Sequence, residues 1–146
     1  MATTTATVSI SSSDLIPGGN ISINGTSTLM KAGLTTGLDM MESGKGILTV
    51  TASNNGVVLK EATAAGENTA AKVYICNNAT DDTYYIIIKI HDTILGRLYA
   101  GDWCLFPWSQ GGTTAGSDEI SLEAEGGTCP YEWAIFKEGE TMVART

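Results

Sequence analysis

The sequence predicts an all-β domain, a sandwich or barrel of about eight strands, and three observations carry that prediction. Short segments that alternate apolar and polar residues recur at close spacing, separated by Gly, Asn and Asp turn residues. No long segment of helical periodicity lies between any two of them, so the crossover helices that a parallel sheet requires have no place. Charged residues are only 16% of the chain, against about 25% in an average domain. Exposed helices carry Glu, Lys and Arg, whereas strands and turns are rich in Thr and Gly, as here. No internal repeat is visible, which disfavours a propeller or solenoid. The 146 residues suit one domain, and a chain of this size buries roughly 68–70% of its unfolded surface.

Residues 1–7 are small and Ala/Thr-rich, expected as a flexible N-terminal arm. A single domain over 8–138 follows, then a C-terminal tail over 139–146. Val8 and Ile10 alternate with Thr7 and Ser9, a short strand signal. Residues 14–19, ending in Pro17-Gly18-Gly19, read as a loop, and Ile21 and Ile23 continue in extended form. Residues 29–46 read as loop with one helical turn, because Leu34, Leu38 and Met41 are helically spaced while Gly33 and Gly37 oppose a stable helix. Residues 47–53 and 57–63 read as a hairpin about Asn54-Asn55-Gly56, since Asn and Gly accept positive φ. A polar loop over 64–70 leads to a strand over 72–77.

The strongest signal covers 83–90. Tyr84, Ile86, Ile88 and Ile90 lie on one face, and Tyr85, Ile87, Lys89 and His91 on the other. Such a run belongs near the middle of a packed sheet or on a surface between subunits. A turn at His91-Asp92 separates it from a strand over 93–99. Ala100-Gly101-Asp102 turns into 103–108, and Pro107 marks the end or edge of that strand. Beyond a Gly/Thr-rich loop over 109–118, Ile120, Leu122 and Ala124 alternate with polar residues. Gly126-Gly127 turns, and 132–138 closes the domain.

Acidic residues number 16 and basic residues 8, for a net charge of −8, and the basic residues are scattered singly. No basic stripe is present to neutralise phosphates, and the net charge is repelled by an anionic membrane surface, so neither nucleic acid nor membrane is an expected partner. The N-terminus has neither a basic start nor an apolar h-region, and no apolar run reaches the ~20 residues of a spanning helix. Synthesis and use without export by the usual route are therefore expected. Asn20, Asn24 and Asn78 head glycosylation sequons of the kind that arise by chance in a chain rich in Asn, Ser and Thr.

Catalytic chemistry leaves no clear mark. His91, the only histidine, sits beside Asp92 at a strand end, where a surface role is the ordinary one. Cys76, Cys104 and Cys129 are too widely spaced for a zinc knuckle. They read as small apolar side chains in a reducing compartment, or as one disulfide plus one free thiol. Asp81-Asp82 and Asp118-Glu119 fit solvated turns better than a calcium loop, and Gly44-Lys45-Gly46 is too short for a phosphate cradle. No catalytic, cofactor or metal residue is therefore assigned, no cofactor is expected, and the chain reads as a non-enzyme. Trp103, Phe106, Trp108 and Trp133 are candidate aromatic anchors, in a core, in a subunit interface or as a sugar-stacking platform. The candidate subunit interface is Tyr84, Ile86, Ile88 and Ile90.

The phrase from Arg97 through Tyr99, Gly101, Asp102 and Trp103 to Pro107 and Trp108 is followed by a Gly-rich loop, then Ile120-Ser121-Leu122-Glu123-Ala124 and the aromatic strand at Tyr131-Glu132-Trp133-Ala134-Ile135-Phe136. Over residues 72–138 the chain resembles small virion structural proteins of tailed bacteriophages, above all capsid decoration (cement) proteins. The resemblance implies a jelly-roll-like β-sandwich of antiparallel strands, a homotrimer, and a major capsid protein as partner. It implies a location on the capsid surface of a virion after synthesis in the host cytoplasm, and carries no catalytic residues. A tail or fibre component and a carbohydrate-binding module are the other readings.

Overall fold

The computed structural model describes residues 4–16, 19–29, 38, 40–50, 57–60, 70–109 and 119–137, and every regular element among them is a β-strand. In chain order these are β1 (Thr5–Ile16), β2 (Gly19–Thr28), β3 (Met40–Leu48), β4 (Val57–Lys60), β5 (Ala70–Asn77), β6 (Tyr85–Ile90), β7 (Thr93–Tyr99), β8 (Trp103–Ser109), β9 (Ile120–Glu125) and β10 (Cys129–Lys137). β1 and β2 form a two-stranded sheet of their own. The other eight make two four-stranded sheets, ordered β3-β10-β5-β8 and β4-β9-β6-β7, and all pairs are antiparallel. The chain passes back and forth between the sheets, with only β6 and β7 consecutive in one of them. This interleaved order is that of a double Greek-key jelly roll. The all-β sandwich expected from the sequence is the architecture observed.

Strand alternation builds the core. Val73 and Ile75 of β5, Ile135 of β10, Ile86 and Ile88 of β6, and Ile120 and Leu122 of β9 point between the sheets and are buried. Each contributes about 1.5–3 kcal/mol through its removal from water. The one fully buried polar side chain among the described residues is Asn77, at the end of β5. Its amide donates to the Leu98 carbonyl at 3.0 Å and its carbonyl accepts from the Ala79 N–H at 3.0 Å. It thus ties β5 of one sheet to β7 of the other with its polar atoms satisfied.

Gly44 and Gly46 of the edge strand β3 have a packing reason. They pair with Trp133 and Tyr131 of β10. A Cβ at Gly44 would lie 2.8 Å from the Trp133 indole nitrogen, and one at Gly46 would lie 2.6 Å from the Tyr131 hydroxyl. The two rings occupy the space that side chains would fill, so aromatic residues cover the glycine backbone of the edge.

Several expectations need correction. The hairpin about Asn54-Asn55-Gly56 is not formed: β3 pairs with β10 and β4 with β9, in different sheets. That turn itself lies outside the described residues. The segment read as loop over 29–46 contains most of β3, whose Gly, Glu and Lys content hid it, while residues 30–37, with the proposed helical turn, lie outside the described residues. The flexible arm expected over 1–7 is already strand from Thr5, and the loop expected from Asp14 is strand through Ile16. The tail over 139–146 lies outside the described residues.

The β6–β7 turn is as expected. His91 and Asp92 both have positive φ, 45° and 59°, the signature of a two-residue type I′ hairpin turn.

Candidate interaction surfaces

The structure takes the candidate interface apart. Ile86 and Ile88 are 0% and 2% exposed and lie between the sheets, and Tyr84 and Ile90 pack half-buried against the same core. This face is the interior of one sandwich and offers nothing to a partner subunit. The parity read from the sequence is right, but it points inward because β6 is flanked by β9 and β7. The opposite face carries Tyr85, its ring centre 5.2 Å from that of Tyr99 with the planes tilted by 47° and the Arg97 guanidinium 5.3 Å from its ring centre, and the Lys89–Glu123 ion pair at 2.6 Å. Ile87 is buried on that side, with Arg97 and Glu123 directly across from it.

The four aromatic anchors also separate. Trp108 is buried in the core, and Phe106 and Trp133 are half-buried against it. Trp103 alone stands out, 54% exposed, on the outer side of the first sheet, with its ring 6.3 Å from Tyr74. Parity decides this: Trp103, Leu105 and Pro107 of β8 face out, while Cys104, Phe106 and Trp108 face in.

Around Trp103 lies a surface that the sequence reading missed. Three rows cross the sheet from β3 to β8: Lys45, Glu132, Cys76 and Trp103; Ser43, Ala134, Tyr74 and Leu105; Met41, Phe136, Lys72 and Pro107. Two lysines and one glutamate are its only charged residues, and Lys45 meets Glu132 at 3.5 Å. Burial among these neighbours, then a hydrogen bond with Cys76, pushes the Tyr74 hydroxyl up to about 12.

The second such surface is the β1–β2 hairpin. Its register places Ser9 opposite Asn24 and Thr7 opposite Thr26, and their side chains hydrogen-bond across the strands at 2.8 Å and 3.2 Å. The other face carries Ala6, Val8, Ile10, Ile21 and Ile23 together with Ser12 and Ser27, and Ile10 lies directly across from Ile23. Both isoleucines are more than half exposed. At the base, the Leu29 N–H donates to the Thr4 carbonyl and the Leu38 N–H to the Leu29 carbonyl, and Leu29 and Leu38 are buried.

The remaining reactive groups have structural partners. Cys76, Cys104 and Cys129 are free thiols, as in the first of the two readings. Burial pushes Cys104 up to about 11 and raises Cys129, so both resist forming the thiolate. Asp81 accepts from the hydroxyl and the N–H of Thr83 at 2.6 Å and 3.0 Å, which lowers its pKa. Asp102 accepts the Tyr99 N–H and closes a turn in which Gly101 has φ +82°. The Gly-Asp phrase therefore has a local turn function. Among the described residues no group of three or more His, Cys, Asp or Glu is placed to hold a metal ion.

No family model, curated protein or solved structure matches this chain. The class supported by the fold is an all-β jelly-roll sandwich carrying a hairpin arm.

Proposed function

We propose that this chain is a virion structural protein, a decoration protein that binds the outside of a tailed-phage capsid through the major capsid protein and associates with copies of itself as a trimer. The observation that carries the proposal is the pairing of a rigid jelly roll with two surfaces of low charge, the outer face of β3-β10-β5-β8 and the hairpin, on a chain of net charge −8. The resemblance over 72–138 supplies the virion, since jelly rolls also serve lectins and cupins. A protein that binds only the assembled shell stabilises it by mass action, and many copies act together. Neither catalysis nor a cofactor enters this reading. The test is co-sedimentation of the purified protein with cognate capsids that lack it. Saturable binding to the outer surface supports the proposal, and a protein left in the supernatant overturns it. Imaging of virions separates the capsid surface from a tail or fibre position.

A carbohydrate-binding role is favoured by one observation, the exposed Trp103 beside Tyr74. Sugar rings stack on such faces. That reading requires a glycan that quenches tryptophan emission in wild type and not in Trp103→Ala.

A further inference from the structure

The hairpin presents a problem of stability that the rest of the molecule does not solve. A two-stranded β-ribbon is marginal in water unless its apolar face is covered. β1 spans 12 residues, about 40 Å at ~3.4 Å per residue, and its neighbours in the chain cover only the base. There, Ala6, Val8 and Gly25 share a cleft of about 370 Å³ with Leu105 and Pro107 of the sheet's outer face. Further along, Ile10 and Ile23 stand in solvent, 53% and 56% exposed. The other side of the ribbon is an exposed ladder of hydroxyl and amide side chains that hydrogen-bond one another, as Thr7 with Thr26 and Ser9 with Asn24. One face is built for burial and the other for solvent.

We infer that the apolar face of β1–β2 docks on the outer face of the β3-β10-β5-β8 sheet of a second copy of this chain. Charge selects this occupant. Two copies of a chain of net charge −8 repel one another wherever their acidic surfaces meet. Asp14 is the only ionisable residue in β1 and β2, and the outer face carries two lysines against one glutamate. Among the described residues both surfaces carry little acidic charge, so identical acidic molecules can approach through them.

The chemistry also matches. The base of the arm already lies beside Leu105 and Pro107 of its own copy, and the distal isoleucines require the same kind of apolar and aromatic ground, which Tyr74, Trp103 and Phe136 provide. The base of the arm is covered by its own copy, so an arm offers a partner only its distal half, roughly 20 Å by ~10 Å, which buries about 400 Å² over both partners. When each copy both gives an arm and receives one, the area is about 800 Å², that of a weak contact that forms as concentration rises. The inference deepens one part of the proposed function, the association of copies, by naming the surfaces that meet, and it stands whether or not the protein binds capsids.

The experiment is light scattering after size exclusion on the full chain, together with hydrogen exchange of the hairpin amides. Wild type is expected at a multiple of 15.3 kDa, with the amides that pair β1 to β2 protected. Ile10→Asp/Ile23→Asp is expected to elute at the mass of one chain, with hairpin protection lost and sandwich protection kept, because both sites lie outside the core. Trp103→Glu on the receiving face is expected to give the same result without touching the arm. A wild type that stays at 15.3 kDa at its highest soluble concentration overturns the inference. So does a double variant that keeps the wild-type mass, or an arm protected only when capsids are added.

Discussion

The hairpin and the sandwich use the same strand alternation and hold together by different means. In the sandwich, each inward residue meets another sheet: Ile86 and Ile135 have no exposed surface. In the hairpin Ala6, Val8 and Ile21 are only part-buried, and Ile10 and Ile23 remain in water. What holds the ribbon is its own backbone ladder and short polar cross-links such as Ser9 to Asn24. The difference teaches that amphipathic alternation specifies a face that needs covering without specifying what covers it. Within the sandwich the chain supplies the cover. For Ile10 and Ile23 of the arm it does not, and the proposed cover there is a second copy.

The largest effect that separates the two regions is truncation of matched isoleucines. Ile86→Ala is expected to cost about 2–5 kcal/mol in global unfolding by denaturant, as the cavity cannot collapse. Ile10→Ala is expected to change the same transition by about 0.5 kcal/mol or less when the protein is dilute enough to be monomeric. Equal costs would break the comparison. Glycine sharpens it at the next level. Gly46→Ala drives a methyl group into the buried Tyr131 ring and is expected to destabilise by about 1–3 kcal/mol. At Gly25 of the hairpin, nothing lies within 4 Å of the place a methyl group would take. Gly25→Ala is expected to leave the sandwich alone and to slow hairpin hydrogen exchange by an amount worth about 0.4–1 kcal/mol.

Alkaline pH divides the regions again. Cys104 in the folded protein holds its proton to about 11 and Tyr74 to about 12, above the ordinary values of 9.0 and 10.0. Above pH 9 the unfolded chain releases protons first, so stability is complete below that value and declines as pH rises towards 12. The hairpin has no group that titrates there. Thermal melts between pH 8 and 12 are expected to show the sandwich weakening, and Cys104→Ala/Tyr74→Phe to flatten the slope.

The smallest effect lies at the acidic end. Asp81 titrates below 3.8 because of Thr83, so its contribution is present above 3.8 and lost as pH falls through its lowered value. Thr83→Val is expected to return the Asp81 carboxyl towards 3.8 in an NMR titration.

How much the sequence disclosed follows from how local each signal was. β6, β7, β9 and β10 were legible because β-branched and aromatic residues alternate within them, and the His91-Asp92, Gly101 and Gly126-Gly127 turns because their chemistry is local. β3 was not legible, since Gly44 and Gly46 borrow their packing from Trp133 and Tyr131, far along the chain. The Asn54-Asn55-Gly56 signal misled because turn chemistry does not say whether the next strand returns to the same sheet. The candidate surface was half legible: the alternation at Val8, Ile10, Ile21 and Ile23 was plain. The outer face of the first sheet was not, because it is assembled from single residues of four strands brought together only by the pairing register.

The position of β10 has a consequence for synthesis. Among the described strands it is the last of the sandwich to be made, yet it sits inside its sheet, between β3 and β5. Glu42 of β3 and Lys137 of β10, an ion pair, are 95 residues apart in the chain. While the ribosome makes those residues, β3 waits without a partner and β5 keeps one edge open, a template for any passing strand. Closure of loops this long makes folding slow. The nascent protein is therefore most exposed to aggregation just before β10 emerges, and a chaperone that shields the free edge of β5 at that stage is expected to raise its yield more than any agent added later.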